Sequence, residues 1–247
     1  MAGVIMNTIL QKAHYQKYEY QKVAYLAKHR LAGKKILDVG CGTGKYLKLF
    51  AQYACAVTGV DMNPLQVEKL RSDGYAAYLP QELPDNETFD VVFMSHVIEH
   101  LDPSSLIPFL EKYLGMLAAD GRLIILSPVL GKRFYYDFSH IRPYYPQSIW
   151  MLLGDCICAA SYKSSMRIAL DDIYFFHDSI RLRSGVWGRY YYPCVAQHEP
   201  YWKYALLSSV VSAFNMAFSA LHLLSGGRLG VQASWMGIYR KTKDVLR

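Results

Sequence analysis

Two periods of apolar and polar residues succeed one another along this chain. Ile36-Leu37-Asp38-Val39 is a short, mostly apolar run closed by Gly40, Gly42 and Gly44, and it reads as a buried strand entering a helix near Lys45. The switch then repeats: helix over 45–53, strand over 55–60, helix over 64–72, strand over 75–78, and the near-continuous apolar run Phe89–Ser95. Such a run suits a parallel strand covered on both faces. A helix over 103–117 follows, then Asp120-Gly121 as the turn into a strand over 122–127, a helix over 146–160 and a strand within 166–176. This alternation predicts an α/β fold, a doubly wound parallel sheet with right-handed crossovers. Ahead of it, residues 6–31 read as a polar, basic helix carrying Tyr15, Tyr18, Tyr20 and Tyr25, a cap leading into the first strand.

Ligands of such sheets bind beyond the carboxyl ends of the strands. That mouth would hold Gly40 to Gly44, Asp61, Ser95 and Ser127. Glycines at a helix start permit positive φ and close approach of a ligand to the backbone. A dinucleotide turn has the spacing G-x-G-x-x-G. Here the third glycine comes one residue early and Lys45 stands where that pattern has glycine, which disfavours a nicotinamide oxidoreductase. Taken alone, the turn is equally a tight strand-to-helix connection. Asp61 ends the next strand about 20 residues on, where a ribose-binding carboxylate belongs, although an acid there can also cap the helix at Pro64.

Asp38-x-Gly40-x-Gly42-x-Gly44 with Asp61 resembles motif I and its following acid in the class I S-adenosylmethionine-dependent methyltransferases. Phe89-Asp90-Val91-Val92 followed by His96-Val97-Ile98-Glu99-His100-Leu101 is similar to the F-D-x-V and H-x-x-E-H-L segments of its small-molecule members. The resemblance implies S-adenosyl-L-methionine as cofactor and a Rossmann-like sheet closed by an antiparallel edge strand over 234–240. It implies cofactor contacts from Asp38, Gly40, Cys41, Gly42, Gly44, Asp61, Met62, Glu82, Leu83 and Ser95. His96 is expected to face the cofactor, with Glu99 and His100 satisfying loop backbone and His96 and His100 in reserve as catalytic groups. One departure stands out: where the family often has an acid for adenine, this chain has Leu79-Pro80-Gln81. Adenine recognition then falls to backbone near Glu82 and Leu83, or to Gln81. His96, Glu99 and His100 also match the H-x-x-E-H of a metalloprotease class. That chemistry needs a long helix, which Asp102-Pro103 cuts short, so no metal is expected.

The loop after the fifth strand holds Asp137-x-Ser139-His140-x-Arg142-Pro143-Tyr144, which resembles the corresponding loop of methyltransferases acting on sugars of surface glycans and related small molecules. It should overlie the mouth, with His140 as the base for a hydroxyl and Arg142 and Tyr144 as acceptor contacts. The alternative is that His140 and Arg142 merely fasten the loop.

Composition adds bounds. With 247 residues, 52% hydrophobic, the chain suits one methyltransferase domain over 1–247. Its core would be 34–176 with 234–241, interrupted by an insertion over 177–233. A net charge of +7 points to acidic partners or an anionic membrane surface. No compact basic run interleaved with aromatics stands out, so no nucleic acid is expected. Five cysteines without a C-x-x-C pair predict neither disulfides nor zinc. Together with an N-terminus lacking a secretory pattern, they predict a cytoplasmic protein.

The insertion opens with Arg181, Arg183 and Arg189 among Trp187, Tyr190, Tyr191 and Tyr192. Ala205–Leu224 then carries no formal charge, and Ser208, Ser212, Asn215, Ser219 and His222 fall on one helical stripe. Tyr201, Trp202, Lys203, Tyr204 and Arg228 flank it as at a membrane interface. A full crossing would part the closing strand from its sheet. The helix over 201–228 is therefore expected to pack on the fold or lie in the interface on the cytoplasmic face, shaping the acceptor site. Together these readings describe an S-adenosylmethionine-dependent methyltransferase acting on oxygen of a small-molecule, glycan or lipid-linked acceptor. The rival is a non-catalytic cofactor-binding scaffold, against which His96, His100 and His140 at the mouth argue.

Overall fold

The computed structural model describes residues 14–53, 55–84, 86–131, 134–154, 164, 166–180 and 202–242. Expectations for 6–13, 155–160, Cys156, Cys158, Cys194 and the Arg/Tyr-rich stretch 181–192 lie outside them. The described elements run α1 (His14–His29), β1 (Lys35–Val39), α2 (Lys45–Ala51), β2 (Ala56–Val60), α3 (Pro64–Ser72) and β3 (Ala76–Tyr78). They continue with β4 (Phe89–Ser95), a single 3-10 turn at Ile98–His100, α4 (Pro103–Gly115), β5 (Leu117–Pro128) and α5 (Pro146–Leu153). β6 (Ile168–Asp178), α6 (Trp202–Leu224) and β7 (Val231–Lys241) complete the order.

The strands form one seven-stranded sheet in the order β3-β2-β1-β4-β5-β7-β6. β1 pairs in parallel with β2 and β4, as β2 does with β3 and β4 with β5, whereas β5 and β7 are antiparallel. This is the doubly wound, mostly parallel architecture expected. Two details differ. β7 lies between β5 and β6 and is not the edge, which accords with the burial of every residue from Ser234 to Tyr239. Asp120-Gly121 is not a turn before β5 but an irregularity within it. Asp120 has φ 58, and the register shifts from Phe89 opposite Leu117 to Val91 opposite Arg122.

Local chemistry sets the helix starts around the mouth. Asn63 caps α3 by accepting from the Leu65 N–H at 3.0 Å, with Pro64 as first helical residue. Asp102 caps α4 at the N–H groups of Ser104 and Ser105, and the hydroxyls of the same two serines, with the backbone bonds adding to them, hold its carboxyl down at about 2. Leu37, Val39, Val92, Met94, Leu123, Ile125, Trp235 and Tyr239 belong to the main core. Alternate sheet positions thus close one face and steer the strand ends toward a common rim.

By contacts the described residues divide into two compact units, those within 19–175 and 233–247 and those within 1–18 and 176–232. In the second unit, α6 buries Asn215, Ser219 and His222 of its polar stripe. His222 shares a 2.5 Å hydrogen bond with the Leu229 carbonyl and stands edge-on to Tyr18, while Ser219 meets Ser179 at 3.5 Å. The apolar positions Phe214, Met216, Leu221 and Leu224 are exposed, Leu224 at 86%. Among the described residues no helix is long and apolar enough to cross a membrane.

Candidate active site

β1 delivers Asp38 and Val39 to the rim, and the glycine loop folds back on the end of β2. Gly40 and Cys41 donate their N–H groups to the Val60 carbonyl at 2.7 and 3.0 Å, and Gly44 donates to Cys41 at 2.8 Å. Gly42 donates to Asp61 Oδ2 at 2.8 Å. A pyrophosphate-binding turn aims such groups at its anion. Here they are committed within the protein, as suits a ligand without phosphate. Gly40 has φ 71, and a Cβ there would lie 2.4 Å from a Val97 methyl. Gly42 has φ 50, with open space where its side chain would be. Asp61 Oδ1 accepts from the Asn63 N–H at 2.8 Å. Since Asn63 supplies the helix cap, Asp61 ties the loop to the strand end.

Asp38 is buried and its Oδ2 has no hydrogen-bond partner. Burial raises its carboxyl to about 7, against the pull of the Leu47 N–H and with help from Asp61. A buried, incompletely satisfied carboxylate beside an open glycine is a fitting counter-group for a cationic amine. Met62 extends beyond Asp61 with 85% exposure, an apolar surface ready to be covered by a flat ring. These features fit the amine, ribose and adenine of S-adenosylmethionine. Burial pushes the Cys41 thiol up to about 12, so it stays protonated. The Glu82 carboxylate accepts from Arg71 at 2.5 Å and the Leu79 N–H at 3.0 Å, and the Glu82 N–H is taken by the Leu79 carbonyl. Leu83 is buried in the main core. Of the residues expected near adenine, Gln81 and Glu82 are both exposed. Ser95, half-buried at the end of β4, hydrogen-bonds Tyr46.

Past β4 the chain enters the left-handed region at His96, φ 57. Its ring lies between two fully buried carboxylates, Nδ1 at 3.2 Å from Glu99 and Nε2 at 3.5 Å from Glu19. Desolvation opposes its charge, but these partners outweigh it and raise the imidazolium to about 10. His96 therefore keeps its proton at neutral pH and is not a base in this arrangement. Ser127 donates to Glu99 at 3.3 Å and Ser234 donates to Glu19. Glu19 was missed in the sequence, although it is the lone acid among residues 6–31.

His100 and His140 come together, their ring centroids 4.9 Å apart. The Glu99 carbonyl accepts the N–H groups of Ile141 and Arg142 at 2.8 and 3.2 Å, docking the loop after β5 on the 3-10 turn. His140 Nδ1 lies 2.8 Å from the Phe134 carbonyl, which can only accept, so the proton sits on Nδ1 and Nε2 carries the lone pair. His140 thus fastens the loop and still presents a basic nitrogen. Arg142 is exposed, 5.9 Å from the Tyr144 ring. Tyr144 is not the acceptor contact expected. It is buried, its hydroxyl donates to the Leu101 carbonyl at 2.9 Å, and its carbonyl accepts from the Trp235 indole. The apolar ring following Pro143 is drawn into the core instead of lining the mouth.

His96, Glu99 and His100 do not form the helical zinc motif, because His96 precedes a single 3-10 turn. A different trio, Glu99, His100 and His140, brings one ligand atom from each within 4.8 Å of the others.

Residues 12–148 match a family model described as a methyltransferase domain. The ubiquinone biosynthesis O-methyltransferase of Pseudomonas fluorescens (strain Pf0-1) is 44% identical over 90 residues, 31% of this chain and 38% of that protein. The tRNA U34 carboxymethyltransferase of Aeromonas salmonicida (strain A449) is 39% identical over 111 residues, 40% of this chain and 34% of that protein. The matches thus span well under half of either relative's length. In fold, a SAM-dependent methyltransferase from Archaeoglobus fulgidus has a TM-score of 0.51 at 19% identity, covering 90% of this chain and 93% of that one. The N-methyltransferase NodS of Bradyrhizobium japonicum WM9, in complex with S-adenosyl-l-homocysteine, gives 0.54 at 11% identity, covering 95% and 91%. The chain belongs to the methyltransferase-domain family and has the Rossmann-like fold of class I S-adenosylmethionine-dependent methyltransferases.

Proposed function

We propose that the protein is an S-adenosylmethionine-dependent methyltransferase acting on a hydroxyl of a small-molecule, glycan or lipid-linked acceptor. The observation that carries the oxygen assignment is His140, whose anchored Nδ1 leaves Nε2 basic beside His100 on the loop leaving β5. A hydroxyl nucleophile must lose its proton, and a positioned histidine takes it. When bound, the cofactor supplies an electrophilic methyl group on a sulfonium. Asp38 would hold its amine, Asp61 its ribose hydroxyls and Met62 its adenine. The loop docked on Glu99 aligns the acceptor and excludes water, and alignment of this kind carries much of the rate of a group transfer. The exposed apolar side of α6 supports an acceptor met at the cytoplasmic face of a membrane, with the helix lying in the interface.

Calorimetry with S-adenosylmethionine and with NAD tests the cofactor assignment, and binding of NAD alone would overturn it. Transfer of a carbon-13-labelled methyl group, located by NMR on oxygen and not on nitrogen or carbon of the product, tests the oxygen assignment. Donor binding without transfer to any hydroxyl acceptor would favour the scaffold reading.

A further inference from the structure

We propose that Glu99, His100 and His140 form a site for one borderline divalent transition metal, of which Zn²⁺ is the type. One ligand atom from each lies within 4.8 Å of the others. Three features make this more than a chance gathering.

The first is tautomer control. His140 Nδ1 faces the Phe134 carbonyl at 2.8 Å. His100 Nδ1 lies 3.1 Å from both the carbonyl and the hydroxyl of Ser139, and that hydroxyl gives its own proton to Asp137 at 2.5 Å. Both rings must therefore be protonated on Nδ1, leaving Nε2 as the electron-pair donor. His140 Nε2 is 3.8 Å from Asp137, beyond hydrogen-bond reach. Metal-binding histidines are held in this way, with the second nitrogen on a backbone carbonyl or carboxylate.

The second is the carboxylate. Glu99 is fully buried, with Oε1 facing His96 and Oε2 accepting from Ser127. Each oxygen keeps a further lone pair, so these partners orient a ligand without consuming it. The third is backbone: the Glu99 carbonyl binds the N–H groups of Ile141 and Arg142, so the two ligand-bearing segments are clamped together before any ion arrives.

Two imidazoles and one carboxylate suit zinc, cobalt or iron better than magnesium or calcium, which require oxygen ligands. Ligand bonds of about 2.0–2.2 Å would draw the three groups closer, and three protein ligands leave a position open for water or an acceptor hydroxyl. The inference deepens the proposed function at one point. With an ion bound, the His140 lone pair is a ligand, and the ion would acidify the acceptor hydroxyl so that its proton passes to water instead of to His140. Loss of turnover in His140→Ala is common to both, so metal binding must be the readout.

The test is titration of the purified full chain with Co²⁺, followed by displacement with Zn²⁺. The expected result is one equivalent of Co²⁺ with visible d–d absorption, weakened at least about 10-fold by His100→Ala and by His140→Ala, and about 10-fold by Ser127→Ala. Exposed His29→Ala should change nothing. Zn²⁺ should also protect His100 and His140 of the unmodified protein from diethylpyrocarbonate, a reading that needs no variant to fold. Absence of Co²⁺ binding, binding retained in both histidine variants, or absence of protection would each overturn the site. Calorimetry with S-adenosylmethionine on the same protein keeps a failure of the methyltransferase reading separate from a failure of the metal.

Discussion

Replacing His96 by asparagine isolates the charge it places between Glu19 and Glu99. Asparagine also tolerates the left-handed backbone found there, φ 57, so little backbone strain is added, and it keeps a neutral donor. The rise of the imidazolium from 6.5 to about 10 corresponds to about 5 kcal/mol at 1.36 kcal/mol per unit. The ring is 31% exposed, and solvent screening brings the expected loss to about 3 kcal/mol. Removing one partner from a buried ion pair costs about 3–5 kcal/mol, so two arguments agree. The sign in pH follows from linkage. Because the folded value is raised, this stabilisation is complete below pH 6.5 and disappears as pH climbs through about 10. Between those limits it declines by at most about 1.4 kcal/mol per pH unit. Asp38 does not confuse the window, because the cost of its raised carboxyl builds up between 3.8 and about 7 and is nearly constant above that. Urea unfolding of wild type and His96→Asn at pH 7, 8 and 9 measures the difference, and the gap should narrow steadily as pH rises. A constant gap, or variants of equal stability at pH 7, would refute the charged triad.

Asp38→Asn should raise the stability of the ligand-free protein at pH 8 by about 1–3 kcal/mol, since an ionised carboxylate is no longer buried. The same change should weaken S-adenosylmethionine binding at least 10-fold, and calorimetry showing unchanged affinity would remove Asp38 from the site. His140→Ala should lower turnover by about 10²–10⁴-fold with cofactor affinity near wild type, as read by steady-state kinetics alongside calorimetry. Phe214 is 52% exposed, so Phe214→Asp should leave thermal unfolding nearly unchanged while reducing sedimentation with anionic liposomes at low salt. A folded wild-type protein that ignores such liposomes would end the membrane reading.

Much of this was readable from local pattern. The glycine loop, Asp61 and the strand–helix alternation obey rules of a few residues' range: positive φ needs glycine, and strands covered on both faces are apolar. The helix at Pro64 was legible too, but its cap was sought in Asp61, whereas Asn63 supplies it. Partnership across the chain was not readable. Nothing near Glu19 in sequence marks it as the counter-charge of His96, 77 residues away, although its isolation among basic residues was a signal. Tyr144 looked like a mouth residue because it follows His140 and Arg142, yet its ring is buried and its hydroxyl meets Leu101. Hydropathy identified the polar stripe of α6, but only tertiary contacts decided that Asn215, Ser219 and His222 face inward. Hydrogen bonding can bury such groups, and periodicity carries no information about who the partner is. The same holds for His100 and His140: sequence supplied both imidazoles, and the docking of one loop on the Glu99 carbonyl brought them together, because a backbone acceptor there had two N–H groups to satisfy.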